Sequence, residues 1–300
     1  MWQCTNCSNT IYPPSKRCPH CGNPTSIPSN VVIAGTDHTN LMQRLKGCKQ
    51  LYSRTDWKFL CNYKRTINQN ISVSINMRFG SLINILQDKR IRYTNLHDNL
   101  RAEAIMDYDP ELAAKRRGVD NLVFGADGER LNYGAINLGN IGLFSYGPAC
   151  VFLKVDAIKD TVSFLEENSF YYTKGSWPVL SINMPSGVRA LWPTASTLTL
   201  VKHHNDLIRS KRWSNSKLAD LILYSAGDKK TDRFIEAQIY HPITVRDFRK
   251  ILFEPASLRP TSTGSLIGRT SAHDRELSLE LLKLYTKGHS ITVKVAKKRK

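Results

Sequence analysis

Acidic residues are scarce in this 300-residue chain: 25 Asp and Glu stand against 43 Lys and Arg, a formal net charge of +18. A surplus of that size usually means a polyanionic partner, most often nucleic acid, held with an affinity that falls as salt rises. Long apolar runs are missing too. No stretch approaches the roughly 20 residues needed to span a bilayer. The N-terminus, MWQCTNCSNT, has neither the basic region nor the apolar segment of a secretory signal. The chain therefore reads as cytoplasmic, with no membrane partner. No set of Asp and Glu clusters at metal-binding spacing, which leaves a metal-dependent nuclease little support. There is no glycine-rich dinucleotide fingerprint in a strand–turn–helix context, and the loop RPTSTGSLIGRTS lacks the GK[ST] of a phosphate-binding loop.

What is present points to a folded protein. An apolar fraction of 41%, with 5 Trp, 12 Tyr and 10 Phe, is enough to bury a sizeable core in one large domain or two ordinary ones. Seven cysteines do not make a disulfide framework in a cytosolic protein. Four of them form two knuckles, Cys4-x2-Cys7 and Cys18-x2-Cys21, with ten residues between. Four thiolates close a tetrahedral shell around Zn²⁺ and leave no open position, so the metal is expected to be structural. His20, between two ligands, is poorly placed to be a third, and Gly22 stands where a tight turn is expected. Trp2, Lys16 and Arg17 could meet a nucleic acid, although such a ribbon can equally serve as a cap. NPTSIPSN reads as a linker, which divides the chain into a zinc ribbon at 1–28 and a main domain at 29–300 with a basic tail.

In the main domain, residues 39–53 carry apolar residues at helical spacing. Ile71–Met77 alternates as a half-buried strand, then comes Arg78, and Ser81 can cap the following helix. A guanidinium at a strand end can hold a phosphate or a ribose; it can also be one more surface base. Residues 101–117 have helical composition broken at Asp109-Pro110 and end in Lys115-Arg116-Arg117-Gly118, a basic helix C-terminus. Tyr133–Leu138 is a short strand with Gly134 beside an aromatic, followed by a glycine-rich turn, Gly139–Gly147, and a strong strand, Cys150–Val155. Residues 195–226 read as two helices joined near Trp213, with Lys202, Arg209, Lys211 and Arg212 set around that ring. His203 and His204 point about 100° apart and cannot easily bind one metal. A helix at Arg275–Tyr285 and a strand at Ser290–Val295 close the chain.

The segment TDRFIEAQIYHPITVRDFRKILFEP, residues 231–255, holds a single acid, Glu236, in an otherwise apolar strand. A carboxylate there needs a partner or a cleft. Otherwise it faces solvent with Gln238.

Together, Arg78, Tyr133 and Glu236 stand in the order in which the mono-ADP-ribosyltransferases of bacterial toxins carry an Arg or His, a Tyr or Ser/Thr, and the catalytic Glu. The chain resembles that superfamily. The stretches Arg130–Leu138, Tyr146–Lys154, Val162–Ser169 and Phe234–Gln238 are similar to a little-characterised bacterial family with YGAxNL and IEAQ motifs. The likeness covers roughly residues 71–255. It implies an α+β fold, an ADP-ribosyltransferase-like split antiparallel β core with surrounding helices, preceded by the ribbon. It implies Glu236 as the catalytic residue and Arg78, Tyr133, Gly134, Ser145 and Tyr146 as the NAD-binding set. Phe234 stands where arginine-modifying members have Glu or Gln, and no Ser-Thr-Ser follows the middle strand, which argues against an arginine acceptor.

The implied activity is transfer of ADP-ribose from NAD, through a transition state with oxocarbenium character that one carboxylate can stabilise. With the charge and the ribbon, the expected acceptor is nucleic acid, RNA before single-stranded DNA. Such an enzyme would be the toxin of a toxin–antitoxin or phage-defence system, silenced by an inhibitory antitoxin protein. A protein-directed transferase and a non-enzymatic zinc-ribbon nucleic-acid binder are the alternatives.

Overall fold

The computed structural model describes residues 2–3, 7–11, 17–23, 27–101, 110–139, 141–175, 179–209, 214–225, 228–254 and 272–296. In chain order, β1 (Trp2–Gln3) and β2 (Thr10–Ile11) make a small antiparallel hairpin. Then come α1 (Ser29–Thr36), α2 (His38–Gln50), α3 (Arg54–Asn70), β3 (Ser72–Met77), α4 (Phe79–Gln87), α5 (Leu96–Arg101) and α6 (Pro110–Phe124). The middle of the chain holds β4 (Asn132–Asn137), β5 (Ala149–Leu153), α7 (Val155–Ile158), β6 (Val162–Leu165), β7 (Thr173–Lys174), β8 (Ser181–Ile182) and β9 (Arg189–Leu191). It closes with α8 (Ala195–Arg209), α9 (Asn215–Ile222), β10 (Glu236–Ile239), β11 (Phe248–Phe253), α10 (Ala272–Thr286) and β12 (Thr292–Val295).

Eight strands form one sheet in the order β12-β11-β5-β3-β4-β10-β6-β9. Every pairing in it is antiparallel except β11 with β12. The fold is thus mixed α/β, built on a large, mostly antiparallel sheet. Alternation along the strands sorts the two faces. Ile75, Ile136, Val151, Ala237, Ile239 and Phe164 share one continuous core with Leu60 and Ile67 of α3 and Leu198 of α8. Ser74, Ala135, Glu236 and Leu165 lie in one cross-strand row on the opposite face. No helix among the described residues is long and apolar enough to cross a membrane.

Several local expectations need correction. Ser81 does not cap α4, which begins at Phe79 with Arg78 as its N-cap. The presumed linker ends in α1, whose Asn30 is buried and donates to the Ser163 hydroxyl (3.0 Å) and the Gln238 carbonyl (3.1 Å). The run after His241-Pro242 is a short 3-10 turn and then a core strand, β11. The largest difference lies in α6. Its composition suggested an end at Arg117, yet the helix runs on to Phe124 because Val119, Val123 and Phe124 bury against Leu131, Leu165 and Tyr172. Arg116 is therefore a mid-helix residue, not a C-terminal charge. The Asp109 break, the glycine-rich loop at 259–271 and the basic tail fall outside the described residues.

Candidate functional site

Glu236 opens β10 and pairs in register with Ala135 of β4 on one side and Leu165 of β6 on the other. It is 3% exposed, and Gln238, two residues on and on the same face, is 1% exposed. The solvent-facing alternative is therefore excluded for both. Gln238 donates to Glu236 Oε1 at 3.1 Å and is itself oriented by Ser163, whose hydroxyl donates to its Oε1 at 3.1 Å. The amide and hydroxyl of Ser169 donate to Glu236 Oε2, each at 3.4 Å. Burial pushes the Glu236 carboxyl up; the Arg116 guanidinium and the Gln238 bond pull the other way without cancelling it.

That guanidinium comes from α6. Its carbon lies 4.0 Å from the centre of the Tyr133 ring and 5.0 Å from that of Phe170. Arg116 Nε sits 2.9 and 3.0 Å from the two oxygens of Asp120, one helical turn on, and His97 Nε2 is 2.7 Å from the same carboxylate. Burial works against the Arg116 charge, but Asp120, Tyr133 and Glu236 outweigh it and hold the group firmly protonated. Its Nη2, fully enclosed, has no hydrogen-bond partner among the described residues. An unmet donor in so dry a place is costly.

The other residues singled out in the sequence distribute unevenly around this centre. Tyr133 carries the Arg116 cation on its ring, and burial raises its hydroxyl well above the usual phenol range. Tyr146 packs edge-on against Phe234. Burial, with the charges of Asp232 and Glu236, pushes its hydroxyl up to about 12. Ser145 donates a short hydrogen bond to Asp232, which anchors the loop before β10. Gly134 faces away from Glu236: a Cβ there would stand 2.6 Å from the Ser74 carbonyl, so its lack of a side chain lets β3 and β4 pair. Gly147, at φ +153°, serves the same purpose against the Met77 carbonyl. Arg78 is exposed at the end of β3, with Tyr93 as its electrostatic neighbour. It sits four residues past Ser74 on the Glu236 row, roughly 13 Å along the strand. Tyr133, Tyr146 and Glu236 thus come together; Arg78 does not join them.

Sequence reasoning missed Arg116, Asp120, His97 and Phe170 as members of this centre. The available signal was the i,i+4 spacing of Arg116 and Asp120. Lys202, set in the sequence among the bases around Trp213, turns inward instead: its ammonium donates to the carbonyls of Glu166 (2.6 Å) and Phe234 (3.0 Å) and pairs with Glu167 at 2.8 Å. Lys202 ties the exit of β6 to the residue two before Glu236.

At the N-terminus the sulfurs of Cys7, Cys18 and Cys21 lie within 4.8 Å of one another, and Cys7 and Cys18 are 3.6 Å apart. Sulfurs sharing a tetrahedral Zn²⁺ at ~2.3 Å stand about 3.8 Å apart, so the three fit that metal. His20 donates its backbone N–H to Cys18 Sγ at 3.4 Å, as a knuckle turn does. Gly22 takes the left-handed φ of +71° that the turn requires. Cys4 lies outside the described residues. The cluster is not a separate bead: Cys18, Ile27, Val31 and Val32 bury together against Leu191. Cys48 is buried and Cys61 half-buried, apart from this cluster.

No protein-family model matches the chain, and no curated protein matches it.

Proposed function

We propose that this chain is an NAD-dependent mono-ADP-ribosyltransferase whose acceptor is nucleic acid, RNA in preference to DNA. The observation that carries the reading is the buried carboxylate of Glu236, two strands from β3 and next to the strand of Tyr133, with a cation-holding aromatic ring beside it. An ADP-ribosyltransferase needs one acid and a ring that accepts a cationic nicotinamide, and the Tyr133 ring already accepts a flat cation from Arg116. That acid and that ring are what support NAD as the substrate. When bound, NAD would supply an electrophilic ribose carbon with nicotinamide as its leaving group.

The protein's own groups divide the work. Glu236, in its ionised form, stabilises positive charge developing at the ribose and takes the proton of the incoming nucleophile. Arg116, held by Asp120, opposes the burial that would otherwise keep Glu236 neutral. Gln238 and Ser169 fix the carboxylate from two sides, and Tyr146 closes the Phe234 edge of the site. Water is kept out by α6, the burial of which also makes each charge act more strongly. The cysteine cluster, completed by Cys4, would hold a structural Zn²⁺ that stiffens the N-terminal hairpin against α1. A toxin role with a bound inhibitor follows from the family likeness alone.

One observation favours the non-enzymatic binder instead: Glu236 is 3% exposed, and Arg116 already occupies the Tyr133 ring. Incubation with labelled NAD and, separately, RNA, single-stranded DNA, duplex DNA and cell extract separates the readings. Label on RNA that resists protease and disappears with nuclease is the expected result. Transfer no greater than that of Glu236→Gln in every arm would leave the binder standing.

A further inference from the structure

Charge is unevenly spent on this surface. Between residues 38 and 70, α2 and α3 carry Arg44, Lys46, Lys49, Arg54, Lys58, Lys64 and Arg65 against one acid, Asp56. Solvated helix faces ordinarily interleave both signs. Arg44 is committed to Glu166, at 2.5 and 3.1 Å, and to the Gly187 carbonyl. The exposed cations Lys46, Lys49, Arg54, Lys58 and Arg65 make no ion pair with a carboxylate among the described residues. Asp56 faces the start of its own helix, where it and Ser53 cap each other (2.9 and 3.1 Å).

The α3 cations also line up. At 100° per residue, Lys58 lies about 40° and Arg65 about 20° around the axis from Arg54, so the three share one stripe about 16 Å long. The opposite side of α3 is fixed: Leu60 and Ile67 are fully buried in the core shared with α8. The stripe is thus a rigid row of cations, two at one turn's spacing and a third two turns on. Such a row follows a phosphate backbone and offers nothing to read base edges. It lies on the helical side of the sheet, away from Glu236, so it would hold a strand while another segment reaches the site. A tether of that kind raises the local concentration of acceptor without contacting the chemistry.

We infer that the exposed stripe Arg54–Lys58–Arg65 of α3 is a sequence-independent docking surface for an RNA strand. The inference rests on the reading of nucleic acid as the acceptor, but binding can be measured without NAD. The test is fluorescence anisotropy of a labelled single-stranded 20-mer RNA against the full chain across a salt series. Arg54→Glu/Lys58→Glu/Arg65→Glu should weaken binding at least tenfold and reduce the slope of log K against log salt by about 2, as three lost phosphate contacts on a single strand require. A control with the same charge change, Lys283→Glu/Lys287→Glu/Lys294→Glu, should change affinity less than threefold. Equal losses in the two variants would reduce the effect to net charge and overturn the inference, as would an unchanged slope in the stripe variant. Displacement of the RNA by polyglutamate of equal length at equal concentration would assign the surface to an acidic protein and overturn it as well. Loss of RNA binding in the stripe variant, in a protein that transfers nothing from NAD, would uphold the surface and refute the enzyme.

Discussion

Arg116 and Glu236 face one another inside the protein without forming an ion pair: each acts on the other's charge, yet Nη2 of Arg116 stays without a hydrogen bond and Glu236 is held by Gln238 and Ser169. Two opposite charges are thus buried near each other, each held by other groups. That relation sets the expectations for the site.

Glu236→Gln should remove transfer to RNA while leaving the fold intact or more stable. The native carboxyl titrates above its unfolded value, so the stability it contributes is fully present below pH ~4.5 and is lost as pH rises through the folded value. Thermal melts should therefore place Glu236→Gln at or above the parent at pH 7.5, with the difference shrinking toward pH 4. A variant that melts well below the parent at pH 7.5 would show that Glu236 is structural.

Arg116→Gln leaves Asp120 buried with His97 alone and should cost about 3 kcal/mol, read from denaturant midpoints. Asp120→Asn in the same chain should recover part of that loss. In Arg116→Gln alone, the acid limb of the transfer rate should move to higher pH, since Glu236 loses the charge that favours its ionised form. An acid limb that stays in place would remove Arg116 from the chemistry.

His203 is buried on α8, and burial, with Lys202 and Arg233 nearby, holds its imidazole down at about 3. The neutral form is the folded one. Its stability contribution is thus complete above pH ~6.5 and fades as pH falls through the window from 6.5 to 3. His203→Asn should flatten the decline of stability across that window, measured by urea unfolding at each pH; a parallel curve would contradict the assignment.

One Zn²⁺ per chain should be found by elemental analysis and lost in Cys7→Ser and Cys18→Ser. Chelation should lower the melting temperature by loosening the Cys18–Ile27–Val31–Val32 cluster against Leu191. Near-ultraviolet circular dichroism of the main core should persist. A full metal complement in Cys18→Ser would refute the site.

By itself, the sequence determined the Cys18–Cys21 knuckle, the strands at β3, β4 and β10, and the helices at α2, α8 and α10. Each of these is written in a short local pattern: ligand spacing, alternation of apolar residues, or a helical period. The environment of Glu236 was decided elsewhere. Whether that carboxylate met water or a buried guanidinium depended on α6, more than a hundred residues upstream, and on how far that helix ran past its basic cluster. Local composition marked Arg116 as a helix end; burial of Val119, Val123 and Phe124 against Leu131 and Leu165 carried the helix on and turned Arg116 inward over Tyr133. Periodicity is set by neighbours along the chain, but the partner of a buried charge is set by which surfaces must leave water together, and only the tertiary structure chooses those.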